Sequence, residues 1–307
     1  MKKIVAILLS ALAVSFSASA NTKENVTILY SWNAGDVAAN FHRNLANEAN
    51  KLQNKYNFIF DVKPGAGGSV AASYIISNPT QNLILANSSA FFIRPNFFPV
   101  SESHDLAKFK SMFPQCTAPI AVSSSKYKTW AEVPINAPLT IGVSGLGVTT
   151  HLVATQVAKK YPNMIVVPFK STTEASAATV GGQTDFAVNF IGDAKQFSEG
   201  KHKLYVLGIT GPKTVNGIKP LAQQGFNKDL ELMNTPAQLM VPVTVNDVKF
   251  NEWREIFLKA GRTQSVMDSY KGDFCESNNQ MTDAEIVQYY KTQTENWKRL
   301  SQGISLK

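Results

Sequence analysis

The chain has 307 residues, of which 44% are hydrophobic and only 17% charged, a balance that excludes a disordered chain, a collagen-like repeat and a coiled coil. Its length suggests two packed lobes, because single cores stop growing at roughly 250–300 residues. The formal charge is +8, but the lysines are scattered and no basic block is interleaved with stacking aromatics, so nucleic acid is not the expected partner; a mildly positive field suits small anions instead.

The first twenty residues read as a secretory signal peptide. Lys2 and Lys3 precede an apolar run from Ile4 to Phe16, and Ala18-Ser19-Ala20 supplies a cleavage site after Ala20. The run is shorter than the ~20 residues that span a bilayer, and Asn21 rather than a Cys stands directly after the cut, so neither a membrane anchor nor a lipid anchor is expected. The mature chain is expected to be exported and soluble.

Short β-branched or aromatic runs then alternate with helical periodicity. Val26–Tyr30 predicts a strand and Asp36–Lys51 a helix with Val37, Phe41, Leu45 and Leu52 on one face. Phe58–Val62 predicts a strand, Ser69–Ser77 a helix and Asn82–Ala86 a strand, followed by an irregular stretch, Phe91–Pro99, and a strand at Pro119–Ser123. The pattern restarts with a strand at Leu139–Val143, a helix at Thr149–Lys160, a strand at Met164–Val167 and a helix at Thr172–Val180. Phe186–Phe190 and Leu204–Ile209 follow as strands around a helix near Gly192–Gly200. Ser171 with Glu174 and Thr282 with Glu285 fit capping boxes, the second opening a C-terminal helix to about Leu300, and Gly181-Gly182 and Gly261 punctuate helix ends. Strands alternating with crossover helices predict α/β architecture with mainly parallel sheets, in two series. Ser123–Lys126 is the expected crossover between them.

Two glycine turns each lie between a strand and a helix. Pro64-Gly65-Ala66-Gly67-Gly68-Ser69 brings bare backbone N–H groups to a helix start, which suits an anion, with a plain tight turn as the alternative. It lacks the Gly-Lys-Ser/Thr of a P-loop. Ser144-Gly145-Leu146-Gly147-Val148-Thr149-Thr150-His151 repeats the arrangement, with hydroxyls at Ser144, Thr149 and Thr150 forming a carboxylate cradle; N-capping by Thr149 or Thr150 is the competing role. It matches neither a dinucleotide fingerprint nor a nucleophile elbow.

The case for an enzyme rests on few residues. His42, His104, His151 and His202 show no metal-ligand spacing, and His151, beside the second turn, reads first as a helix-surface residue. Asp36 sits at a helix start, where capping explains it. Trp32, Phe91, Phe92 and Phe169 are candidate pocket walls or core residues. Cys116 and Cys275 fit no zinc or C-x-x-C pattern; in an oxidising compartment one structural disulfide is the first reading and two free thiols the second.

Several segments, in order from about residue 26 to 225, agree with one set of motifs. Val62-Lys63-Pro64-Gly65-Ala66-Gly67-Gly68 resembles V-x-x-x-P-G-A-G-G, shortened before the Pro. Leu83-Ile84-Leu85 with Asn87-Ser88-Ser89 is similar to a T-L-L strand and its polar loop, and Arg94-Pro95 stands near an N-P. Ser144-Gly145-Leu146-Gly147 with His151-Leu152, Val167-Pro168-Phe169-Lys170, Gly182-Gln183-Thr184-Asp185 and Gly200-Lys201 resemble S-x-G-x-G…H-L, V-P-Y-K-G, G-Q-x-D and G-K. These motifs belong to the extracytoplasmic solute receptors of tripartite tricarboxylate transporters, the Bug or TctC-like proteins, which the chain resembles. It departs from them in a shortened first loop, Asn33–Asn40, with Asn40 in place of Arg, and in Ser171, Gln223-Gln224-Gly225 and Thr80-Gln81-Asn82.

The resemblance implies a type II periplasmic binding protein fold: two α/β lobes around a ligand cleft, the chain crossing twice. Lobe one would be about 22–123 plus 236–307 and lobe two 124–235, placing Cys116 and Cys275 in one lobe. It implies a non-catalytic, monomeric periplasmic receptor with no cofactor and no metal. Such a receptor would capture a small carboxylated solute (a di- or tricarboxylate, an amino acid or an aromatic acid) and deliver it to integral-membrane permease subunits. The ligand would meet Asn33, Gly35, Asp36, Gly65, Ala66, Gly67, Gly68 and Ser88 from the first lobe, and Ser144, Gly147, Thr149, Thr150, His151 and Phe169 from the second. An anion receptor for an ABC importer or a sensor kinase would share this architecture, and a periplasmic enzyme would need Asp36 or His151 as its base.

Overall fold

The computed structural model describes residues 22–98, 102–198 and 203–306; the expected leader, the Gly200-Lys201 motif and His202 lie outside the described residues. The chain opens with β1 (Glu24–Tyr30), α1 (Val37–Lys51), β2 (Tyr56–Val62), α2 (Ser69–Ser77), β3 (Leu83–Asn87), α3 (Ala90–Ile93) and β4 (Phe109–Ala118). It continues with β5 (Ile120–Ser124), β6 (Leu139–Val143), α4 (Thr149–Ala158), β7 (Met164–Pro168), α5 (Thr172–Val180), β8 (Phe186–Phe190), α6 (Ile191–Gln196) and β9 (Tyr205–Ile209). It returns through β10 (Thr235–Pro242), α7 (Asp247–Gly261), α8 (Gln264–Gly272), β11 (Glu276–Ser277) and α9 (Asp283–Leu300).

Two sheets result. The first has the order β11-β4-β10-β3-β1-β2 and the second β7-β6-β8-β5-β9. The βα repeat sets the parallel part of each, β2-β1-β3 and β7-β6-β8, since a crossover helix forces its two strands to run the same way. The rest corrects the expectation of mainly parallel sheets: β10 lies antiparallel to β3 and β4, and β5 lies antiparallel to β8 and β9. Strands β4 and β10 escape the period-2 pattern because every residue of β10 is buried, and because Pro114, Pro236 and Pro242 break their ladders, with register shifts beside Ala237 and Leu239.

Only Pro119 separates β4 from β5, so the crossing between sheets falls before β5 and not at Ser123–Lys126. Helix α1 buries Val37, Phe41 and Leu45 as its periodicity demands; Leu52 instead lies past the helix end as its C-cap and is exposed. Behind the first sheet, Phe41, Leu45, Trp253 and Phe257 share one core with Ile28 and Phe113. A second core, with Ile141, Leu152, Tyr161 and Phe186, also takes Phe92 and Ile93 from α3 and Trp297 and Leu300 from α9. Helix α9 therefore spans both cores, with Ile286 in the first. Its start is fixed by a reciprocal capping box between Thr282 and Glu285. The expected disulfide is present: Cys116 of β4 is bonded to Cys275 just before β11, with Cα atoms 5.4 Å apart. No helix among the described residues is long and apolar enough to cross a membrane.

Candidate functional site

In open α/β sheets the carboxyl ends of parallel strands border a crevice, because the turns there deliver helix N-termini with unpaired N–H groups. Here the ends of β1, β3, β6 and β8 converge on one cavity between the sheets, of about 580 Å³ including its mouth. Tyr30, Trp32, His42, Asn87 and Ser88 line it from the first sheet, and Ser144, Val148, Thr149, Thr150 and Phe190 from the second.

Of the residues expected at the site, Asp36, Ser88, Ser144, Thr149 and Thr150 line this cavity. Ala66, Gly67 and Phe169 line a second, outer hollow of about 620 Å³, mouth included, that shares Ser144 with the first. Asn33, Gly35, Gly65, Gly68, Gly147 and His151 line neither. The two glycine turns do face one another: a Cβ built on Gly145 would lie 3.8 Å from the Gly67 Cα. Of the expected aromatic walls, Trp32 lines the cavity, whereas Phe91 and Phe92 pack into cores.

Several roles differ from the expected ones. Val148, not Thr149 or Thr150, is the N-cap of α4. The Thr150 Oγ1 accepts a hydrogen bond from the Ser144 N–H at 3.1 Å, and Thr149 Oγ1 is bonded to Ser89, which also bonds Thr235 Oγ1 at 2.8 Å. A hydroxyl chain thus ties the start of α4 to the end of β3. His151 is buried rather than on the helix surface; its Nδ1 accepts from the Gly147 N–H at 3.3 Å and its ring meets Phe97 edge-on. Burial lowers its pKa to about 4, so it buttresses the second turn as a neutral ring.

Asp36 holds the N-cap position of α1 but gives that helix no side-chain bond. Its Oδ1 instead accepts from the Thr173 Oγ1 (2.7 Å) and N–H (3.3 Å) at the start of α5, while Oδ2 accepts from the Asn33 N–H. The start of α1 is met from the opposite side: the Val37 N–H donates to Asp193 Oδ1 at 3.0 Å. Burial raises the pKa of both carboxyls, and for Asp193 the charge of Asp36 adds to it.

His42, Asn87 and Arg94, named in the sequence only as a histidine without metal-ligand spacing and as parts of two motifs, were not expected at the site. The Tyr270 hydroxyl donates to Gln115 Oε1 (3.2 Å), and Gln115 Nε2 donates to His42 Nδ1 (2.7 Å). That chain leaves the proton of the neutral imidazole on Nε2, which has no partner, and burial lowers the ring's pKa to about 3. Asn87 Oδ1 accepts from the Ser88 N–H, and its Nδ2 is likewise unpartnered. Both residues line the cavity. Arg94 borders the outer hollow and donates through Nη1 to the Leu146 carbonyl at 2.9 Å. An apolar run broken by Arg-Pro was the available signal for Arg94 and the polar loop after β3 that for Asn87; nothing local marks His42. No group of three His, Cys, Asp or Glu among the described residues could hold a metal ion.

No protein-family model matches the chain, and no curated protein matches it. Solved structures do. The periplasmic binding protein BugD is 18% identical with a TM-score of 0.79, covering 90% of this chain and 96% of its own. A periplasmic transporter is 16% identical with a TM-score of 0.79, covering 92% and 99%. MatC from Rhodopseudomonas palustris, with bound malate, is 16% identical with a TM-score of 0.75, covering 91% and 99%. The chain has their fold, that of a type II periplasmic binding protein.

Proposed function

We propose that this chain is a non-catalytic periplasmic receptor that captures a small carboxylated solute between two lobes and delivers it, as a monomer, to a membrane transporter. One observation carries the reading. His42 and Asn87 line a cavity walled from both sheets, and each has a buried donor, His42 Nε2–H and Asn87 Nδ2, that has no partner. Buried donors left unpaired cost ~1–3 kcal/mol each, and a ligand rich in acceptor oxygens removes that cost. MatC, with the same fold, carries malate.

In this reading the lobes are the two sheets with their helices, and the crossings fall at Pro119 and between β9 and β10. Ligand touching both lobes favours the closed form by its differential affinity, and closure strengthens each hydrogen bond by excluding water. Catalysis finds little support. Both Asp36 oxygens are occupied by donors, His151 is outside the cavity, and His42 titrates too low to act as a base near neutral pH. The leader, as read from the sequence, supplies export.

A thermal-shift screen of residues 22–307 against organic acids and amino acids tests the proposal. At least one carboxylate is expected to raise the melting temperature and to bind in calorimetry. A panel without effect at millimolar concentration would overturn it.

A further inference from the structure

The outer hollow holds a cation without a counter-ion. Arg94 is only 8% exposed, yet among the residues whose side chains are described no Asp or Glu oxygen lies within 4.0 Å of it. Its guanidinium has five N–H donors. Nη1 is used on the Leu146 carbonyl, the ring of Phe98 lies 4.3 Å from the guanidinium carbon, and the buried Nε has no partner. The neighbouring His104 offers no negative charge. Removing a cation from water without an anion is strongly unfavourable, and a guanidinium does not escape the penalty by losing its proton.

The surroundings are arranged for something small and negative. Gly67 makes the room: its φ is +60°, and a Cβ there would stand 2.5 Å from Arg94 Nη1. Gly145 approaches the same turn from the second sheet. Lys170 also lines the hollow; its N–H donates to Glu174 Oε2 at 3.1 Å, but its ammonium has no carboxylate oxygen within 4.0 Å among the described residues. The inner cavity is the opposite: no Lys or Arg lines it, and Asp36 does. Ser144 belongs to both.

We propose that the hollow at Arg94 is the anion subsite of the crevice, where the ligand's carboxylate pairs with the guanidinium while the remainder of the molecule passes Ser144 toward His42 and Asn87. This rests on the receptor reading above. It assigns the ligand a polarity, with the charged group outward beneath Lys170 and uncharged acceptor atoms inward. It also gives the closed form a latch, because Arg94 comes from the first sheet's side and the Leu146 carbonyl from the second's.

The test uses sodium malate, succinate, adipate and benzoate as probes on residues 22–307, with the variants Arg94→Met and Arg94→Lys, by calorimetry and thermal shift. The probe that binds the wild type best is expected to lose about 100-fold in affinity in Arg94→Met, which keeps the side chain's apolar stem, and about 10-fold in Arg94→Lys, which keeps charge but not the planar donors. Without ligand, Arg94→Met is expected to melt no lower than the wild type, because an uncompensated charge has gone. The primary amide of the best probe should bind the wild type far more weakly than the acid, a readout independent of how the variants fold. Should a probe bind wild type and Arg94→Met within about threefold, or acid and amide equally, the anion subsite is wrong while the receptor reading stands. Should neither these probes nor any acid of the wider screen of organic acids and amino acids bind the wild type, the receptor reading itself falls.

Discussion

Asp36 and Asp193 each hold the start of a helix belonging to the opposite sheet. Asp36 accepts hydrogen bonds from Thr173 at the start of α5, and Asp193 accepts from the Val37 N–H at the start of α1. Both carboxylates are buried, and neither has a Lys or Arg within 4.0 Å among the described residues. Helix N-termini carry partial positive charge, so each carboxylate is stabilised by the other lobe's helix, and opening the crevice would break both attachments.

The pair gives stability a pH dependence of known sign. Burial and then the charge of Asp36 push Asp193 up to about 7, above the usual carboxylate value. Between about pH 4 and 7 the folded chain therefore binds more protons than the unfolded one, and this contribution to stability falls as pH rises. His42, His104 and His151, held neutral by burial, act in the opposite direction, losing stability as pH falls below about 6.5. Comparing the wild type with Asp193→Asn cancels the histidines. In urea unfolding the wild type is expected to gain roughly 2 kcal/mol on the variant between pH 8 and pH 4.5. Parallel profiles would show that the pair does not titrate in this range.

Thr173→Val removes the hydroxyl that donates to Asp36. A charge-assisted bond of this kind contributes about 1.5–3 kcal/mol, and here it is present only when the lobes meet. The variant is expected to bind its best carboxylate ligand roughly tenfold more weakly and to show a larger radius of gyration in small-angle scattering without ligand. Asp36→Ala combined with Thr173→Val should add little to either single change. Full additivity would mean that the two residues do not act together.

Gly67→Ala tests the contact between the turns. At φ +60° an alanine carries a backbone penalty of about 1 kcal/mol, and its Cβ would stand 2.5 Å from Arg94 Nη1. Chemical denaturation is expected to show a loss of about 1–3 kcal/mol, with weaker ligand binding because Arg94 must move. An unchanged midpoint would mean that the turns do not pack as described.

The Cys116–Cys275 bond joins residues 159 apart in sequence. Closing a loop of that length stabilises by about 4–5 kcal/mol in the chain-entropy model. Cys116→Ser with Cys275→Ser is expected to lower the melting temperature by about 10 °C or more. Because Cys275 also lines the cavity, ligand affinity should fall with it. A double variant with wild-type melting would remove the bond from the stability account.

The βα units were legible because their apolar residues repeat with the period of the element they form, and the two glycine turns because each sits between a strand and a helix. The capping box at Thr282 is similarly local. Strands β4 and β10 were not legible: β10 is buried along its whole length, both are interrupted by proline and paired antiparallel across long separations, and no local period survives. The candidate site was legible only in part. Ser88, Ser144, Thr149 and Thr150 could be read from their turns, but Asp36 bonds Thr173 across 137 residues, and Gln115 orients His42 across 73. Arg94 carries no local sign that its partner is the carbonyl of Leu146.

We propose the crevice between the two glycine turns as the place where this protein holds its ligand. A crystal structure of residues 22–307 with the acid that gives the largest thermal shift tests it most directly. The acid is expected between the ends of β3 and β6, contacting Ser144 from one lobe and Asn87 or His42 from the other, with its carboxylate toward Arg94. An acid seated on an outer surface, with the crevice holding only water, would contradict it.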